Sequence, residues 1–259
     1  MKATTLALTV FCGSTSATIL GNDAPAAQAL AKLSLNVAQH GYPDAGKCTL
    51  KNVAVRQEWS TLSESQKLNY IDAVKCLGKK PAKTPAAIAS GARSRFDDFI
   101  VTHILQTMSI HGTGYLPYNN WSKWAKDPLA SPLFDGSKTS ISGDGEYVAG
   151  RGSWCLPNEV RCMVTFHSAN GGGCIKSGPF KDWKINLGPI QTTAKGVPPN
   201  PQADGLGYNP RCLSRDINTQ ASNETRDEMF VDLITNYPDI LSFQNKMQNF
   251  TLGVMGVHK

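Results

Sequence analysis

The stretch "VTHILQTMSIHGTGYLPYNNWSKWAKDPLASPLFDG", Val101 to Gly136, carries two histidines eight residues apart, His103 and His111. Phe96, Phe99, Ile100 and His103 recur at spacings of three, four and seven. That pattern predicts a helix over about Ser94–Ser109 with His103 on its apolar face. On such a face the side chain is expected to point into the core, and alone it reads first as a satisfied core histidine. His111 falls just past the helix end, before Gly112 and Gly114, where an imidazole also suits the negative end of the helix dipole. Neutral imidazole is nevertheless a common ligand for copper and zinc. The pair therefore raises the question of a metal and of the ligands that would complete it.

Upstream, "EWSTLSESQKLNYIDAVKCLGKKP" predicts a second helix. Ser63 and Gln66 form an S-x-x-Q capping box, hydroxyl to the N3 amide and side-chain amide back to the cap. Leu68, Ile71, Val74 and Leu77 follow at helical spacing. Gly78 is expected at the left-handed C′ position, and Pro81 stops continuation. Asp97 and Asp98 are neighbours on a helix, so they face different ways and make no acid/base pair. Downstream, about Glu224 to Asn249 is helical with a break at Pro238, which is expected in the first turn of a new helix. Residues 30–45 show no strong pattern.

Residues 112–222 are rich in Gly and Pro with little periodicity, leaving short strands at Val160–Phe166 and Lys184–Leu187. A loop region this long in a compact domain is expected to be functional or disordered unless it is stapled. Cys155, Cys162, His167 and Cys174 invite a zinc reading, but six, four and six intervening residues do not match the C-x-x-C pairs of zinc modules. Disulfides fit better. Six cysteines are candidates: Cys48, Cys76, Cys155, Cys162, Cys174 and Cys212. They allow 15 pairings, which spacing does not resolve, although Cys48 and Cys76 flank the capped helix and would staple its start to its end.

The cysteine count presumes that Cys12 is removed. Lys2, the apolar Thr5–Cys12 run and the small residues after it resemble a secretory signal peptide, read here as residues 1–20 with cleavage no later than about residue 29. Residues 21–45 then form an N-terminal arm or propeptide, and 46–259 the folded domain. The sequons at Asn120, Asn223 and Asn249 suit a secreted glycoprotein. No apolar run approaches the roughly 20 residues of a membrane span. A net charge of +6 is mild, and the tight Lys79, Lys80, Lys83 cluster has no interleaved aromatics, so it reads as a solvated turn and not a nucleic-acid patch. There is no G-x-S-x-G elbow and no phosphate loop. Oligomeric state is not legible.

In their order, several segments resemble the tyrosinase copper-binding domain, especially the secreted fungal tyrosinase-like group. They are "CTLKNVAVRQEWSTLSESQKLNYIDAVKCL", "SRFDDFIVTHILQTMSIHGTG", "PYNNWSKWAKDPLASPLFDGS", "GGGCIKSGPF", "NLGP", "NPRCLSRDI" and "FQNKMQNFTLGVMGVH", and they cover residues 48–258. The resemblance implies a mainly α fold with long irregular, disulfide-rich loops around a type-3 copper four-helix bundle. It also implies two copper ions, each held by three histidines, that use dioxygen to hydroxylate phenols or oxidise catechols to quinones. The partners it implies are phenolic small molecules and dioxygen.

Residue by residue, His103 resembles the first ligand of the first copper, His111 the second, and His258 the first ligand of the second copper. The third ligand belongs on a Trp-His-Arg segment after the Gly-Thr-Gly turn. Here "GTGYL" runs straight into "PYNNW", so a helix and its loop are absent between Leu116 and Pro117. Asn119 also stands where the family usually has Trp. The chain stops one residue after His258, and His40 and His167 match no ligand position. The expectation is a partial bundle lacking core helices, a truncated or splice form without a dinuclear site and inactive as it stands. The alternative is a secreted, disulfide-rich, non-catalytic binding protein that reuses the shell. A third reading is one mononuclear metal on His103, His111 and His258.

Overall fold

The computed structural model describes residues 23–42, 46, 56–105, 116–156, 162, 164–190 and 197–248. Seven helices occur among them: α1 (Asp23–His40), α2 (Glu64–Lys79), α3 (Arg95–Leu105), α4 (Trp121–Trp124), α5 (Thr219–Asn223), α6 (Asp227–Asn236) and α7 (Ile240–Gln248). Six short strands form three separate antiparallel pairs. β1 (Gly145–Tyr147) pairs with β4 (Gly172–Ile175), β2 (Ser153–Leu156) with β3 (Val164–His167), and β5 (Lys184–Ile185) with β6 (Arg211–Cys212). The helix-rich, loop-rich class is as the sequence implies. In the region read as a loop with two strands, the 160–166 strand is found at Val164–His167, and four further short strands appear. Two- to four-residue strands are too brief to show a period.

α2 begins as its capping box dictates. The Gln66 amide donates to Ser63 Oγ at 3.3 Å, and the Ser63 amide donates to Gln66 Oε1 at 2.8 Å. Its end differs from expectation. The helix runs through Gly78 to Lys79, and Gly78 does not adopt positive φ. The reason for glycine is space: a Cβ there would lie 2.4 Å from the Trp183 ring. Pro238 also sits differently, two residues ahead of α7, and Asp239 takes the capping role by accepting from the Ser242 amide at 2.9 Å. α1 was not legible as a helix. Nearly all its side chains are exposed, so no buried face imposes a pattern on the sequence.

Two apolar clusters hold the domain. The first joins Trp59, Ile71, Ile175 and Phe180, with Tyr70, Trp183 and Leu213 packed around them. The second joins Ala89, Val101, Leu187 and Leu206, with Ile100 and Ile104 alongside. Each cluster draws one side from a helix, α2 or α3, and the other from the irregular 133–213 region. That region folds because it supplies half of both cores and because Cys174 and Cys212 are joined across it. A second disulfide, Cys155–Cys162, closes the β2–β3 ribbon.

Arg215 and Asp216 fasten the loops that border the first cluster. The Arg215 guanidinium donates to the carbonyls of Ile141, Ser142 and Gly143 at 3.2, 2.6 and 2.8 Å. Asp216 accepts from Arg151 at 2.8 Å and from the Ala169 and Gly171 amides. Burial opposes ionisation of Asp216, yet these donors hold its carboxyl below the ordinary range. Asp144, facing Asp216, is pushed up by burial even though it accepts from the Ile217 and Gly145 amides.

Candidate metal centre

His103 lies in the last turn of α3, and the start of that helix is the most heavily bonded point in the site. Ser94 caps it: the Asp97 amide donates to Ser94 Oγ at 3.2 Å, and the Ser94 amide donates back to Asp97 Oδ2 at 2.9 Å. The same carboxylate oxygen accepts from the Arg93 amide and from Asn186 Nδ2, at 2.9 and 3.0 Å. Asp98, turned the other way, accepts from the Lys83 amide at 2.9 Å and the Thr84 amide at 2.8 Å, and pairs with Arg95. Burial alone would raise its pKa, but the Thr84 and Lys83 donors and Arg95 outweigh that and hold it at about 2. Both carboxylates are buried anchors of α3. The "SRFD" run is itself an S-x-x-D capping signal, which marks the anchor in the sequence.

From this anchor α3 packs Val101 against Leu187 and Leu206. The His103 side chain is exposed, contrary to the expected core position. Phe96 and Ile100 turn toward the protein, whereas Phe99, 37% exposed, and His103 share the outer face one turn apart. The apolar stripe is wide enough to be divided between two directions, and spacing alone does not show which half is buried. Leu105, 56% exposed, ends the helix.

The other two candidate ligands, His111 and His258, lie outside the described residues, as do Cys48 and Asn249. Among the described residues no three His, Cys, Asp or Glu side chains converge as a metal site. Cys76 is an exposed free thiol. Asn120 and Asn223 are half-buried. His167 is engaged elsewhere, its Nδ1 2.7 Å from Ser153 Oγ on the β2–β3 ribbon.

At Leu116 and Pro117 the chain is clamped to the approach to α2. Arg56 donates through Nε to the Leu116 carbonyl at 2.7 Å and through Nη2 to the Pro117 carbonyl at 3.3 Å. Tyr118 then pairs with the chain opposite: its amide donates to the Gln57 carbonyl at 3.0 Å, and the Trp59 amide donates to the Tyr118 carbonyl at 2.7 Å. Asn119 follows with a buried Oδ1 that has no hydrogen-bond partner, and the nearby Trp124 Nε1 is likewise buried and unpartnered.

Comparison with known proteins gives this arrangement a family. The model for the common central domain of tyrosinase matches residues 99–259, beginning on α3. The tyrosinase-like protein orsC of Emericella nidulans is 39% identical over 240 residues, covering 79% of this chain and 65% of that protein. Tyrosinase P of Aspergillus terreus is 37% identical over 221 residues, covering 76% and 62%. The chain thus spans a little under two thirds of the length of these two relatives. A polyphenol oxidase variant from Thermothelomyces thermophila superposes with a TM-score of 0.76 at 34% identity, over 90% of this chain and 68% of that one. The chain therefore belongs to the tyrosinase family.

Proposed function

We propose that the protein is the scaffold of a copper-dependent oxidoreductase acting on phenols or catechols with dioxygen, with His103 and His111 as ligands of one copper and His258 as a ligand of a second. The observation that carries this reading is the placement of His103. Its imidazole leaves the open face of a helix whose opposite end is fixed by two buried aspartates, which is the rigid support a metal ligand needs. Imidazole suits copper, and copper supplies oxygen binding and electron transfer when bound. Phe99, one turn before His103, offers an apolar wall for an aromatic ring.

Three imidazoles cannot give three ligands to each of two coppers. A polypeptide of these 259 residues is therefore proposed to form no dinuclear centre and to lack phenol oxidase activity. Copper loading followed by metal analysis and oxygen-dependent charge-transfer absorption tests this. The expected outcome is fewer than two coppers per chain, no such band, and copper uptake reduced by His103→Ala. Two coppers with the band would overturn the incomplete-site reading. Copper uptake unchanged by His103→Ala would overturn the ligand assignment. Transcript reads across the Leu116–Pro117 junction decide whether a helix-bearing form is also made.

We further propose that the protein is secreted, with residues 1–20 as signal peptide and 21–45 as an arm. The two disulfides support an oxidising compartment. A second reading, a non-catalytic binding protein, is favoured by the loop shell, which Cys174–Cys212, Arg215 and Asp216 tie together through contacts of their own. It requires the same protease resistance with and without copper.

A further inference from the structure

We propose that Asn170 is a site of spontaneous deamidation and that Asp216 governs its rate by latching the Gly171 amide. Asn170-Gly171 is the single Asn-Gly pair in the 259 residues. Glycine after asparagine leaves the attacking backbone nitrogen unshielded, because it carries no Cβ. The fold imposes that glycine. A Cβ at residue 171 would lie 2.4 Å from Asp144 Oδ1 and 2.6 Å from the Arg215 carbonyl. Asn170 lies exposed in the bend between β3 and β4.

In the reaction the Gly171 nitrogen bonds to Asn170 Cγ and the Cγ–Nδ2 bond breaks. Ammonia leaves with the proton that the Gly171 amide gives up, and a succinimide ring remains. Water opens the ring at Cγ to aspartate, or at the backbone carbonyl to isoaspartate. No electrons are exchanged and no cofactor takes part.

The nucleophile is the deprotonated Gly171 amide, and here its proton is held. The Gly171 amide donates to Asp216 Oδ1 at 3.0 Å and the Ala169 amide donates to Oδ2 at 3.1 Å, so one carboxylate grips the backbone on both sides of Asn170. Arg151 completes the grip, donating to Asp216 Oδ2 at 2.8 Å and to the Ala169 carbonyl at 3.0 Å. The Gly171 carbonyl accepts from the Val148 amide at 3.2 Å, and the Gly172 amide donates to the Arg215 carbonyl at 2.7 Å. Turning the 170–171 peptide toward the Asn170 side chain therefore disturbs several bonds at once. An amide anion at Gly171 would also lie against one carboxylate, with that of Asp144 beside it. Asp216 restrains the amide and does not activate it as a base. Its donors hold it below the ordinary carboxylate range, far too weak to take an amide proton. Aspartate at 170 adds a charge between the two amides that Asp216 holds, and isoaspartate adds a backbone methylene, so the modification weakens the clasp that delays it.

The test incubates the full folded chain in mildly alkaline buffer. Proteolysis and mass spectrometry follow residue 170, and isoaspartyl methyltransferase labelling detects the rearranged product. Conversion at Asn170 is expected to be at least about tenfold slower than in the same chain unfolded in guanidinium, where the latch is open. Asp216→Ala is expected to speed conversion in the folded chain at least about tenfold, because a charge-assisted bond is lost. Arg151→Gln is expected to act in the same direction, and it carries the test should near-UV dichroism show Asp216→Ala unfolded. Gly78→Ala, at the Trp183 contact on α2, is the stability control and is expected to leave the rate within about twofold. Asn170→Gln is expected to remove the signal. Conversion as fast in the folded parent as in guanidinium, folded latch variants at the parental rate, or equal acceleration by Gly78→Ala would overturn the latch. Faster conversion at another asparagine of the unfolded chain would overturn the site.

Discussion

Asp98 is a buried carboxylate whose value depends on staying charged. Its folded pKa is about 2 against 3.8 for a free aspartate, so its contribution is complete above about pH 4 and is lost as pH falls from there toward 2. The shift corresponds to on the order of 2 kcal/mol. Asp98→Asn is expected to destabilise the protein by about that amount at neutral pH, with the gap to the parent closing below pH 4. Urea unfolding at pH 7, 5 and 3 measures it, and a gap that stays constant with pH would assign the loss to packing. Asp144 leans the opposite way. Burial raises its pKa, so its ionisation works against the folded state as pH rises.

At the scale of elements, the α2 end and the α3 start meet through close contacts that leave no slack. Gly78→Ala puts a methyl within 2.4 Å of the Trp183 ring. Helix propensity favours alanine by roughly 1 kcal/mol, but overpacking a fixed aromatic costs about 1–3 kcal/mol. The net expectation is a loss in thermal midpoint, with Trp183 moved against Phe96 and the near-UV tryptophan signal altered. An unchanged spectrum with a raised midpoint would show that the ring gives way freely. This contact also marks where sequence reading stops. Ser63 and Gln66 announce the start of α2 because a capping box is local. The role of Gly78 depends on a residue 105 positions away, and no local pattern encodes it. For the same reason the sequence places His103 on α3 without saying which face is open. Deciding that requires Leu187 and Leu206, which pack on the neighbouring Val101 from a region without periodicity. The "SRFD" capping signal, by contrast, was there to be read, and it fixes the helix that carries the histidine.

Across the whole molecule, the two disulfides close loops of very different length. Cys174–Cys212 spans 38 residues and ties two strands that frame the first core, whereas Cys155–Cys162 spans 7 on the ribbon. Loop-closure entropy makes the longer bridge worth about 1.5 kcal/mol more, within a typical 2–4 kcal/mol. Replacing Cys174 and Cys212 by serine is expected to shift the denaturation midpoint clearly more than replacing Cys155 and Cys162. Equal shifts in paired guanidinium titrations would show that the ribbon is integral to the core. The fold these bridges stabilise superposes on a solved polyphenol oxidase over 90% of this chain at a TM-score of 0.76. Its legibility was uneven, because cysteines announce a staple while the partner of each is a matter of geometry.

The grip of Arg56 on the carbonyls of Leu116 and Pro117 acts as a gauge of chain continuity. One guanidinium spans two consecutive carbonyls only while no residue intervenes, unless an inserted segment returns to its own starting point. Were a block inserted at that junction, it would either close into a loop with adjoining ends or cost one of the two bonds. The protection of the Arg56 side-chain protons from exchange with solvent would then tell the two forms apart without any reference to copper.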